Sequence, residues 1–266
     1  MNISFDRNRT QKAYEAILGI SVEELKANKD LFKNHILSSA EEAQLIPLLH
    51  EDALDYFYNA ALSFSEGIDA VFERRYSWAT VKLYYSVFYA IRASLACNNI
   101  AILANQSIMR LKVASGETPF GSGNSKYKTT HKGTISHYID VLKSQDILMS
   151  NLIGDQNVYE WMEEVREITN YREVCFKDPD FLTIWSAFDA ALSHASLVEL
   201  LQDIQNDSVP IYCFQDDYAV VAIPIKRMQE TVADLSKVGL LARFANERKD
   251  YLEQIVKGKE RCISVW

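Results

Sequence analysis

Eleven consecutive residues, Glu163-Glu-Val-Arg166-Glu-Ile-Thr-Asn170-Tyr171-Arg172-Glu173, bring together two guanidinium groups, an amide, a phenol and four carboxylates. Such groups can clamp an anion or build a polar interface, since guanidinium donates in a fixed fork while amide and phenol donate or accept. At about 100° per residue of helix, Arg166 flanks an apolar stripe of Val158, Trp161, Met162, Val165 and Ile168. Asn170 lies one turn further on the same side, and Arg172 falls on the stripe itself if the helix continues. A cation there must snorkel, pair with a carboxylate such as Glu173, or face a partner. The plainer alternative is an exposed arginine beside an i,i+4 charge network.

Other chemistries find little footing. The five histidines, His35, His50, His131, His137 and His194, are scattered, and the nearest pair, His131 and His137, sits about 120° off a common helix face. That is a poor metal pair, and Cys97, Cys175, Cys213 and Cys262 form no CxxC or Cys/His cluster. Gly121-Ser-Gly123 lacks the following lysine of a phosphate-cradling loop, and neither HExxH nor GxSxG occurs. No metal and no cofactor is expected.

The formal net charge of −8 argues against phosphate binding by the whole surface, because counterion release needs clustered Lys and Arg. Residues 226–261 nevertheless carry nine Lys/Arg against six Asp/Glu, a mildly basic segment on an acidic body. Met1 is followed by polar Asn2 and by Asp6, Arg7 and Arg9 rather than by an apolar signal region. The richest apolar stretch, Tyr84 to Cys97, holds Arg92 and is too short to span a bilayer. A cytoplasmic protein with reduced thiols and no membrane contact is expected.

The elements that must position these residues read as helices. Nine glycines and five prolines in 266 residues leave too few breakers for a turn-rich β fold, and 48% hydrophobic residues suffice for a core. Ser21-Val-Glu-Glu24, flanked by Ile20 and Leu25, and Ser39-Ala-Glu-Glu42 both read as capping boxes. Pro47 predicts a break, and a long helix follows to Glu73 on Leu49, Ala53, Phe57, Ala60, Phe64, Ile68 and Val71, with Gly67 as its weak point. Ser77 then caps a core helix, Trp78 to Asn98, whose stripe includes Trp78, Tyr85 and Arg92. Five breakers between Gly116 and Gly133 predict a long loop over 104–129, preceded by a short strand at 100–103. Helices are expected from Thr130 to Lys143, from about Val158 to Tyr171, and from Asp178-Pro179-Asp180 to about Gln205. Beyond residue 207, Val209–Phe214 and Tyr218–Ile223 read as a β-hairpin ended by Pro224, followed by two amphipathic helices meeting at Gly239.

The aromatic-rich text Trp78-Ala-Thr-Val-Lys-Leu-Tyr-Tyr-Ser-Val-Phe-Tyr-Ala-Ile-Arg-Ala-Ser-Leu opens the second of two long helices. Followed by the Thr130-His-Lys-Gly helix, the Arg-x-x-x-Asn-Tyr-Arg helix and a long closing helix, it resembles the core of HEPN-domain proteins over about residues 45–205. The resemblance implies a mainly α fold, an antiparallel bundle that usually dimerises. Three parts then result: an N-terminal helical extension (1–44), the HEPN-like bundle (45–206) and a C-terminal hairpin with a helix pair (207–266). Active members of that family are metal-independent ribonucleases of prokaryotic toxin–antitoxin, CRISPR-associated and other antiviral systems. Their motif is an arginine that stabilises the scissile phosphate and, after four to six intervening residues, a histidine that moves the proton. Here Arg166 matches the arginine, but after four intervening residues stands Tyr171, and none of the five histidines has an arginine five to seven positions upstream. Tyrosine, with an ordinary pKa near 10, is a poor base at neutral pH.

The residues and the resemblance leave three functions open. The first is a HEPN-like, non-catalytic subunit of a multicomponent prokaryotic defence or toxin system, working as a homodimer or hetero-complex, with RNA or DNA contact as an option. The second is an atypical metal-independent ribonuclease using Arg166, Asn170, Tyr171 and Arg172, with His131 or His137 brought close by the fold. The third is a nucleic-acid-binding helical protein using the basic 226–261 helices, where Gly239 suits a helix–turn–helix but Leu235 stands where a small residue is wanted.

Overall fold

The computed structural model describes residues 7–172, 174–176, 178, 183–191 and 193–255. The described chain is mainly α-helical with one two-stranded antiparallel sheet, and none of its helices is long and apolar enough to cross a membrane. It divides into two compact units, residues 1–56 with 91–141 and residues 57–90 with 142–266.

In the first unit, α1 (Arg9–Leu18) has no cap of its own; the buried Asp52 supplies one, accepting from the Arg9 and Thr10 amides at 2.9 Å each and from the Thr10 hydroxyl at 2.7 Å. Asp52 lies on α3 (Ser39–Phe72), which contributes its residues up to Tyr56 here. At the expected Ser21 box the Glu24 carboxylate does bond back to the Ser21 amide (2.9 Å), yet the residues after it form turns, and the helix α2 (Lys29–Asn34) starts later. The second box is displaced by one residue, with Ser38 and Glu41 exchanging side-chain and backbone bonds. Pro47 does not break α3. It sits on the exposed side between buried Leu45 and Leu49, where water can solvate the carbonyl it leaves without a donor.

The first part of the expected long loop, residues 104–112, belongs to a hairpin instead. Strands β1 (Ile100–Asn105) and β2 (Ser107–Lys112) pair in register from Ile100↔Lys112 to Asn105↔Ser107, turning at Gln106 with φ of 61°. The Gln11 amide closes the free edge of β1 by exchanging two bonds with Ala104 (2.8 and 3.0 Å). Phe120 closes the edge of β2 by exchanging backbone bonds with Arg110 (3.0 and 2.7 Å). Helix α5 (Thr130–Leu142) completes this unit, and α4 (Tyr76–Cys97) supplies its residues from Ile91 on.

In the second unit, the remainders of α3 and α4 meet at Gly67, where an added Cβ would lie 2.8 Å from Leu83 Cδ2. Gly67 is thus a close-approach residue, not a weak point. The amide of Ser77, in the first turn of α4, bonds to the Asp178 carboxylate (3.2 Å), so that helix too is capped from afar. Tyr84, Val87 and Phe88 are buried, as a core helix requires, but Trp78 is 48% exposed. Trp185 fills this core, stacked on Tyr76 at 4.8 Å and donating to the Thr80 hydroxyl at 3.1 Å.

The single helix expected from Asp178 to Gln205 is interrupted. A short turn (Thr183–Trp185) and α7 (Ser186–Ala190) precede α8 (His194–Asn206), whose cap is the Ser193 hydroxyl; Pro179, Asp180 and Phe181 lie outside the described residues. The expected C-terminal β-hairpin is absent among the described residues. Ile211–Phe214 is a 3-10 turn, and Tyr218–Ile223 lies inside α9 (Asp216–Lys237), which runs through the buried Pro224. Asp216 and Asp217 favour the positive end of that helix. The apolar run Ala219 to Ile223 is buried on all sides, a pattern that periodicity cannot distinguish from a buried strand. Gly239, at φ of 71°, makes the expected turn before α10 (Asn246–Ile255).

Candidate functional site

Helix α6 (Val158–Glu167) and the turn after it carry the charged segment as far as Arg172. The Asn157 side chain caps the helix, accepting from the Tyr159 and Glu160 amides at 3.1 Å, and Val158, Trp161, Met162 and Val165 bury its apolar face. From Ile168 to Arg172 the helix widens into a π turn, with the Thr169 hydroxyl bonded to the Val165 carbonyl at 2.9 Å. Such turns are frequent at functional positions.

That turn separates the fates of the two arginines. Arg166 is only 5% exposed; its guanidinium carbon lies 4.6 Å from the Tyr84 ring centroid and 5.6 Å from that of Tyr171. Its Nε is buried without a hydrogen-bond partner, and among the described residues no carboxylate forms an ion pair with it. Burial, then the charge of Glu163, raises the Tyr84 phenol above its ordinary pKa, against the opposing pull of Arg166. The arrangement is a cation held between two rings, worth most when desolvated. Arg172 does not fall on the apolar stripe, because the extra residue of a π turn rotates the positions after it. It is exposed, 3.5 Å from Glu164 Oε1 and 3.4 Å from Glu167 Oε2. Its other expected partner, Glu173, lies outside the described residues.

Of the remaining candidates, Tyr171 is 69% exposed as the outer cover of Arg166, and Asn170 is half-buried on the same turn. The structure brings Arg166 and Tyr171 together, while His131, in the first turn of α5, belongs to the other unit. The unit carrying Arg166 holds a single histidine, His194, which packs on the Phe72 ring at 4.8 Å. Beside the charged segment in sequence, Phe176 meets the exposed Trp78 edge-on at 5.2 Å. Sequence reasoning gives Tyr84 and Glu163 no role of their own at the site. Tyr84 reads as one more core aromatic of α4, and nothing local marks a ring that faces a guanidinium.

Two further polar clusters emerge. In the first unit, the buried His137 donates from Nε2 to the Ile108 carbonyl (3.1 Å), accepts at Nδ1 from Arg110 (3.2 Å) and stacks on Tyr127 at 4.4 Å. Asp140 bonds the Tyr127 hydroxyl and Lys126 (3.0 Å). Burial, assisted by Arg110, lowers the His137 pKa to about 4, so the ring is neutral. In the second unit, the buried Arg227 reaches Asp146 at 3.3 Å and Asp234 at 3.5 Å, while Tyr159 donates to the same Asp146 carboxylate. Neither cluster opens a reactive group to solvent in the way a catalytic base requires. Among the described residues no group of three or more His, Cys, Asp or Glu is placed to hold a metal ion.

Compared with known proteins, the chain matches no family model, no curated protein and no solved structure.

Proposed function

We propose that the chain is a HEPN-like, non-catalytic subunit of a multicomponent prokaryotic defence or toxin system, acting through protein–protein contacts. The carrying observation is the enclosure of Arg166. A catalytic arginine must meet the developing charge of its substrate, whereas Arg166 is sealed between Tyr84 and Tyr171, with tyrosine at the position a histidine would take. The exposed rings of Trp78, Tyr171 and Phe176 supply aromatic surface of the kind enriched in protein interfaces. The basic 226–261 segment gives less support to nucleic-acid binding, since Lys226, Arg227 and Lys237 bond within the unit and Arg248 covers the Tyr58 ring.

The test is purification of the full chain from native extract, with RNA integrity followed during expression. A stoichiometric complex or homodimer is expected, lost in the Trp78→Asp/Tyr171→Asp double variant while helix content is retained, and cellular RNA stays intact. A monomer without partner overturns the reading. The π turn and the unpartnered Arg166 Nε favour the ribonuclease as the second reading. RNA cleavage by the wild type, abolished by Arg166→Ala and by Tyr171→Phe, would decide for it.

A further inference from the structure

Negative charge is concentrated in one stretch of the second unit. Residues 178–225 hold eight Asp and Glu and no Lys or Arg, a charge as large as the net −8 of the whole chain. Three of the eight are engaged. Asp178 caps α4, Asp189 pairs with Arg74 at 3.3 Å, and Asp207 accepts from the amides of Val209 (3.0 Å) and Ile211 (2.8 Å). Glu199, Asp203, Asp216 and Asp217 are exposed and form no ion pair among the described residues. The next cation along the chain, Lys226, is turned to the carbonyls of Gln205 (2.8 Å) and Asp207 (2.6 Å). The same acidic stretch forms most of an apolar groove of about 440 Å³, between the 3-10 turns Ile147–Met149 and Ile211–Phe214 that pack on α9. Ile147, Val209 and Ile211, which line it, are 44%, 64% and 56% exposed. The bonds to Asp207 hold Val209 and Ile211 out on a built turn rather than a loose loop. Gln215, another lining residue, is followed directly by Asp216 and Asp217.

We propose that this groove docks a segment of a partner protein in which Lys or Arg alternates with aliphatic residues. Burial of the exposed aliphatic side chains drives the association. The carboxylates beside them choose the partner, since uncompensated negative charge steers cations in and turns acidic chains away. A peptide suits this surface better than a small molecule because the aliphatic side chains project from it. A small ligand on the groove floor would leave Val209 and Ile211 in water, whereas an extended segment covers both and carries its cations to Asp216 and Asp217. Ser150, Asn151 and Gln215 offer hydroxyl and amide groups to the backbone of such a segment. The groove shares no residue with the aromatic surface of Trp78, Tyr171 and Phe176, and its role does not depend on the HEPN-like reading.

Fluorescence anisotropy with the full chain and three labelled peptides tests it. The first peptide alternates leucine with arginine, the second replaces arginine by glutamate, and the third replaces leucine by serine. The leucine–arginine peptide is expected to bind at least tenfold more tightly than either of the others. Ile147→Asp and Ile211→Asp, on separate turns, are each expected to remove that binding at unchanged helix content, although each adds a negative charge. Asp216→Asn with Asp217→Asn is expected to weaken it at least fivefold and to flatten its salt dependence. Glu23→Gln with Glu117→Gln, the same change of charge at exposed positions of the other unit, is expected to leave it unchanged. Absence of binding by the leucine–arginine peptide overturns the proposal. So does equal binding of the serine–arginine peptide or an equal loss in the Glu23/Glu117 variant, either of which means attraction by net charge alone. Full competition by hexylamine overturns it in favour of a small cationic ligand. Self-association of the wild type that Ile211→Asp abolishes overturns it in favour of a second copy.

Discussion

At the residue scale, the two arginines of one short segment show how little of a side chain's role is carried by its type. Arg166 is held between rings with its Nε unpaired, while Arg172, six positions on, lies in water between two glutamates. His137 carries a second consequence. Its folded pKa, near 4, lies below the ordinary 6.5, so the unfolded chain binds the extra proton first as pH falls. The stability it contributes is complete above pH 6.5 and is lost on descending towards pH 4, about 3 kcal/mol in all. Urea denaturation at pH 7 and pH 4.5 is expected to show this loss in the wild type and not in His137→Asn. Arg227 is the other sensitive position. Arg227→Met leaves Asp146 buried without its cation, and the expected cost is about 3–5 kcal/mol in the same assay.

At the element scale, helices α1 and α4 begin where distant carboxylates, Asp52 and Asp178, receive their first amides. Gly67 illustrates a rule reversed by packing. In an isolated helix Gly→Ala stabilises by about 1 kcal/mol. Here the new Cβ would press on Leu83, so Gly67→Ala is expected to destabilise by about 1–3 kcal/mol, and a double variant with Leu83→Ala to show non-additive recovery in thermal unfolding. The long helices of α3 and α4 are legible in the sequence because their stripes repeat over many turns. Two expectations fail for physical reasons: Pro47 is tolerated on an exposed side, and the C-terminal hairpin gives way to a helix that Asp216 and Asp217 start and whose next run is apolar all round. The π turn is not legible, since one inserted residue leaves no mark in a hydrophobic pattern.

At the scale of the whole molecule, each of the two units has its own buried core and its own buried polar cluster. The cysteines provide a test of that closure. Cys97 and Cys213 are buried, and burial raises the Cys213 thiol well above its ordinary pKa, whereas Cys175 is exposed. A thiol reagent is expected to label Cys175 within the mixing time and Cys97 and Cys213 only at the rate of unfolding; prompt labelling of all three would contradict the buried placements. The mainly helical character was determined by the sequence alone, because breaker scarcity and 3.6-residue periodicity are local properties that each segment carries by itself. The gathering of charged and polar residues between Glu163 and Glu173 is likewise a property of the sequence itself. Only the tertiary structure decided that residues 216–237 form a helix, that the sheet lies at 100–112, and that Arg166 is closed in by Tyr84. Each depends on which distant residues share a core, and a buried helix and a buried strand can be written in the same apolar text until that core exists.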